Sequence, residues 1–224
     1  MWLIKDSNMT KYFDFVSSNN SKYISDLIAD TLKIKIENLM QLHGYEKIMI
    51  VCIGVNLLDW DCYGPLVGSG LSKTNLPSNV TIYGTMTEPI MGANCDSFIN
   101  DNAEKINDSL VIAVDSMVSK DAKIGSLVIL DNGIYPGLAH SKRFQKIGDI
   151  SLCGTIANDA RSINNLYPEA DIDTCDMLMM SDISIRALFI ALNSIMATKK
   201  DEKVQKDNIS LEYKMKAPKY NIQD

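Results

Sequence analysis

Two aspartates are placed where they could share a proton or hold a cation. Asp61 lies in Cys52-Ile-Gly-Val-Asn-Leu-Leu-Asp-Trp-Asp-Cys-Tyr-Gly-Pro65, an acidic loop that follows the apolar run Ile48-Met-Ile-Val-Cys-Ile53. Asp115 ends a second apolar run, Leu110-Val-Ile-Ala-Val-Asp115. If both runs are strands of one α/β sheet, both acids stand at carboxyl ends, where such folds bind ligands. Carboxylates brought close cannot both ionise easily, so one titrates high and the pair can act as acid and base. The same oxygens could instead hold a hard or borderline divalent metal. In a purely structural reading, each acid caps the turn or helix that follows it.

Other groups could join them. Glu88, held extended by Pro89, could line the same crevice or be an ordinary loop acid. His140, after Tyr135-Pro-Gly-Leu-Ala, could be a ligand or base on a loop, or simply an exposed side chain. His43, at a predicted helix end, suits the terminal carbonyls. Cys62 could be a nucleophile, although no histidine is near it in sequence. Glycine motifs fail on spacing. Gly68-Ser-Gly70 would need a third glycine where Lys73 stands, and an elbow around Ser69 would need glycines where Val67 and Leu71 stand. Nucleotide binding and serine hydrolysis lose their support.

The elements that must position these residues alternate. Apolar residues at 24, 27, 28, 32, 36, 39 and 40 recur at helical spacing and stop at His43-Gly44. A strand over 47–53 follows, then a helix over 65–74 opened by Pro65. Strands are predicted at 79–84, 110–115, 126–130 and 149–153, with a helix over 94–106. The span 132–148 reads as a long loop. The segment 177–197 is apolar nearly all round, which predicts a largely buried helix. This order favours a three-layer α/β/α fold with a mostly parallel sheet. A single domain is expected over 1–198. The tail over 199–224, with seven lysines among acids, is expected to be solvated and poorly ordered.

The 224 residues allow a sizeable core, and 46% hydrophobic with 22% charged residues is a globular composition. A net charge of −6 argues against a general nucleic-acid binder and fits a cationic partner. Five cysteines without CxxC spacing indicate neither a disulfide framework nor a zinc ribbon, which suits a reducing cytosol. No signal peptide or membrane span is expected.

Cys52-Ile-Gly … Asp61-Cys-Tyr-Gly-Pro-Leu-Val-Gly68 resembles the Gly … Asp-Ala-Leu-Gly-Pro signature of the YyaC-type spore protease family. Ile82-Tyr-Gly-Thr … Glu88-Pro89, Ile112-Ala-Val-Asp115, Gly148-Asp-Ile-Ser … Gly154 and a closing helix from Leu178 to Met196 follow in order, so the resemblance covers about 45–197. That family is related to the germination protease of small acid-soluble spore proteins and, distantly, to hydrogenase maturation endopeptidases. The resemblance implies a phosphorylase/hydrolase-like fold and places the catalytic candidates of the germination protease on Asp61 and Asp115. In the hydrogenase-maturation relatives the corresponding acids help bind nickel with a histidine. This chain departs from the pattern at Cys62, Tyr63 and Ser116.

The expectation is a cytoplasmic endopeptidase of the sporulating cell or forespore, acting on a protein or peptide and needing no cofactor. Asp61 and Asp115 would be catalytic. Gly54, Asn56, Gly64 and Glu88 would contact substrate, the glycine loop leaving backbone N–H groups free for it. One alternative is a divalent-metal peptidase with Asp61, Asp115 and His140 as ligands. Another is a non-catalytic sporulation factor that binds a protein partner. Oligomeric state is not legible.

Overall fold

The computed structural model describes residues 2–3, 9–13, 21–56, 61–136, 144–158 and 172–216. Its elements are β1 (Trp2–Leu3), β2 (Met9–Phe13), α1 (Ser21–His43), β3 (Lys47–Cys52), α2 (Tyr63–Leu71) and β4 (Val80–Tyr83). There follow α3 (Cys95–Asp101), α4 (Ala103–Asn107), β5 (Ser109–Val118), β6 (Leu127–Leu130), β7 (Ile150–Ala157) and α5 (Thr174–Lys216). Asp59, His140 and the rest of 57–60, 137–143 and 159–171 lie outside the described residues.

The sheet runs β2-β6-β7-β5-β3-β4, with β1 beside β5. β4, β3, β5 and β7 are parallel, while β6 and β2 add on antiparallel. Alternation along the strands divides the core in two. Ile48, Ile50 and Cys52 of β3 face one cluster with Ile28, Leu32, Val67 and Leu188 of α1, α2 and α5. Met49 and Val51 face the other, with Cys95, Phe98 and Ile106 of α3 and α4. Helices on both faces of a mostly parallel sheet make three α/β/α layers, as expected.

Several elements differ from the sequence reading. α2 starts two residues before Pro65, which occupies the third helical position; a proline is tolerated there because first-turn N–H groups have no partner within the helix. The helix expected over 94–106 is interrupted at Asn102, whose φ and ψ of −114° and 15° are not helical. β5 runs three residues past Asp115 and β7 four past Cys153, because each has a paired neighbour to extend along. The first residues supply two short strands, which their mixed composition did not reveal. α5 buries one face, with Met180, Ser184, Leu188 and Leu192, and exposes Leu178 and Met179. The helical backbone of α5 continues from Lys199 to Lys216.

Backbone-to-backbone contacts lock the sheet end that carries Asp61. A Cβ built on Gly64 would lie 2.1 Å from the Ile53 carbonyl oxygen, and one on Gly68 would lie 2.0 Å from that of Gly84. Gly84 combines φ +83° with a Cβ position 1.8 Å from the Cys52 oxygen. Gly84→Ala should therefore cost about 3 kcal/mol or more in urea unfolding. Gly44→Ala, with φ +73° and open space around it, should cost only about 1 kcal/mol. Equal costs would show that close packing, as opposed to backbone strain alone, does not matter here.

Candidate active site

The chain connection reverses direction around β3. β4 follows β3 on one side, and the next strand, β5, lies on the other. Their connecting helices pack on opposite faces, so the carboxyl ends of β3 and β5 form the switch point at which such sheets bind ligands. β3 pairs with β5 as far as Cys52↔Val114, and β1 takes up the same edge at Trp2↔Met117. Asp115 and Ser116 fall in the gap between the two.

Asp61 reaches this gap because the loop folds back on itself. The Val55 N–H donates to the Asp61 carbonyl oxygen at 2.9 Å, and Gly54, at φ +147°, lets that oxygen approach. Immediately after Asp61, Cys62 is the N-cap of α2 and makes no side-chain capping bond. Tyr63 is fully buried, and its hydroxyl lies 2.8 Å from Ser184 Oγ, pinning the start of α2 to α5.

Ser116 joins the two acids. Its Oγ donates to Asp61 Oδ1 at 2.7 Å, and its backbone N–H donates to Asp115 Oδ1 at 2.8 Å. Asp115 and Ser116 are fully buried, whereas Asp61 is half-buried. Burial, with the charge on Asp61 acting in the same direction and the Ser116 N–H acting against them, pushes the Asp115 carboxyl up to about 7. A bond to Ser116 on a separate strand is not what helix capping would give Asp61.

The other expected residues are placed as follows. Gly54 does not offer a free N–H: it donates to the Ile90 carbonyl at 2.9 Å, continuing the pairing of the strand ends. Asn56 Nδ2 donates to the Met86 carbonyl at 2.9 Å, so its side chain fastens the loop to segment 84–91. Gly64 is buried in the first turn of α2. Glu88 is exposed, in a turn where its N–H meets Thr85 Oγ1. The five cysteines form no disulfide; Cys52, Cys95 and Cys153 are buried, and Cys153 is the register partner of Asp115. The bridging role of Ser116 was missed; the only sequence signal was a hydroxyl inside an apolar strand.

Among the described residues no group of three or more His, Cys, Asp or Glu could hold a metal ion. Asp61 and Asp115 alone would supply two ligands, and His140, the third expected, lies outside the described residues. Among the described residues no helix is long and apolar enough to cross a membrane.

Residues 16–184 match the family described as "Protein of unknown function (DUF1256)". The chain belongs to this family. It is 33% identical over 111 residues to the uncharacterized protein YyaC of Bacillus subtilis (strain 168). That match takes in 50% of this chain and 54% of YyaC, so it spans about half the length of that curated relative. Two solved structures are also similar. The [NiFe] hydrogenase maturation protease HycI from Thermococcus kodakarensis KOD1 gives a TM-score of 0.46 at 18% identity, covering 72% of this chain and 96% of that one. The hydrogenase maturating endopeptidase HybD from E. coli gives 0.37 at 15% identity, covering 70% and 93%.

The buried acid has a measurable consequence. With its folded value above that of the unfolded chain, Asp115 holds a proton in the native state that the unfolded state has already lost. Stability should therefore fall as pH rises from about 4 to about 7 and level off above it. Asp115→Asn should flatten this slope, leaving the variant more stable than the parent at pH 8 by on the order of a few kcal/mol. Parallel stability–pH curves for the two proteins would show that Asp115 ionises freely.

Proposed function

We propose that this DUF1256 member is an endopeptidase of the sporulating cell that hydrolyses a peptide bond in a protein substrate with Asp61 and Asp115. The reading rests on one observation: Ser116 ties two carboxylates together in a strand-end crevice, and one of them holds its proton near neutral pH. The similarity of Asp61-Cys-Tyr-Gly-Pro65 to the germination-protease motif supports the choice of a peptide bond, and the spore location and cytoplasmic setting rest on the same resemblance.

The chemistry follows from unequal exposure. Asp61, the half-exposed acid, takes a proton from water as the water oxygen attacks the scissile carbonyl. Asp115 supplies a proton to the leaving amine as the C–N bond breaks. The products are a carboxylic acid and an amine, and proton exchange between the two acids resets the pair. Desolvation around Asp115 favours its protonated form, as a general acid at neutral pH requires.

The test is cleavage of small acid-soluble spore proteins, with new N-termini identified by mass spectrometry. Asp61→Asn and Asp115→Asn should each lower the rate by about a hundredfold or more, with circular dichroism unchanged. Cleavage at the parent rate in either variant, or none by the parent, would overturn the assignment.

A further inference from the structure

Segment 84–91 closes one side of the crevice and forms a second feature of its own. Beyond the end of β4, a cleft of about 530 Å³ opens towards α3. Its walls are mixed, with Ile82, Tyr83, Ile90 and Phe98 on the apolar side, and Glu88 stands among the lining residues. Tyr83 and Phe98 meet edge to face, with ring centroids 5.1 Å apart, and form its aromatic side.

The polar groups of the cleft are mostly committed within it. Asn94 Oδ1 accepts from the Met91 N–H, and its Nδ2 donates to the Pro89 carbonyl. Thr85 Oγ1 accepts from the Glu88 N–H and meets Thr87 Oγ1. Among the described residues, no hydrogen bond or ion pair engages the Glu88 carboxylate. Lys105 Nζ meets the Tyr83 hydroxyl at 3.3 Å and stands 5.8 Å from that ring's centroid, but Lys105 does not line the cleft. An acid beside an aromatic and aliphatic wall suits a side chain with an apolar stem and a cationic head. The net charge of −6 favours the same class of partner.

We propose that this cleft receives a lysine or arginine side chain of the protein substrate, an inference that rests on the peptidase reading of Asp61 and Asp115. The cleft is joined to that site by two hydrogen bonds: Gly54 N–H to the Ile90 carbonyl, and the Asn56 side-chain Nδ2 to the Met86 carbonyl. β4 and β5 flank β3, so Asp115 and the end of β4 are roughly 10 Å apart at the usual strand spacing. An extended peptide advances about 3.3 Å per residue. The basic residue therefore stands about two or three positions from the bond that is cut.

Binding can be read separately from cleavage. Nα-acetyl-lysine methylamide and its norleucine analogue, titrated into the full chain, should both shift the amide resonances of Gly84, Thr85, Glu88 and Met91. The lysine compound should bind about fivefold more tightly, the worth of one exposed ion pair, and Glu88→Gln should remove that difference while leaving norleucine binding unchanged. Equal affinities in the parent protein, or shifts confined to other residues, would overturn the inference. Asp61→Asn should keep the lysine preference intact. Selective lysine binding without any cleavage would reject the peptidase reading alone, whereas cleavage with no basic residue near the cut bond would reject the cleft assignment alone.

Discussion

The site depends on how closely α2 and the loop before it sit on the ends of β3 and β4. Backbone touches backbone at Gly64 with Ile53, at Gly68 with Gly84, and at Gly84 with Cys52. Any side chain at these positions would push the helix away from the sheet. Asp61 precedes Cys62, the N-cap of this helix, so that contact helps to set its position. Tyr63 fixes the same turn from the other side through Ser184 of α5. The long C-terminal helix thereby helps to hold the turn that carries Asp61.

Within that frame, the gap along β5 creates the electrostatics. A strand shared by β3 and β1, with two residues left between them, places Asp115 in the interior but still beside the loop. Burying a carboxyl there costs stability if it ionises, so the proton stays on at pH values where an exposed acid would have lost it. Such a cost is expected where structure serves chemistry and not the fold alone. Ser116 gives each acid one donor, and both donors come from a single residue. The carboxylates are therefore held relative to each other by covalent geometry as well as by packing.

Much of this was legible in the sequence because it follows from periodicity. The apolar positions of α1 and the runs that became β3 and β5 need no partner to be recognised, since burial on a helix face or within a sheet imposes a repeat. Boundaries were less legible. β5 and β7 extend past their apolar runs because neighbouring strands supply hydrogen bonds, and the first residues become strands only because edges of β5 and β6 are open to them. The role expected of Gly54 was misread for a related reason: its N–H is used by Ile90, a residue far along the chain.

The sequence by itself determined the α/β alternation, the two acids at the ends of apolar runs and the family to which the chain belongs. These are local patterns of side-chain chemistry and repeat. Only the tertiary structure decided which strands are neighbours, that Ser116 lies against both carboxylates, and that one acid is buried while the other remains in reach of water. A carboxylate's proton affinity depends on its surroundings and not on its residue type. The pairing of Asp61 with Asp115 could therefore be proposed from the chain, but their unequal environments come from the crevice.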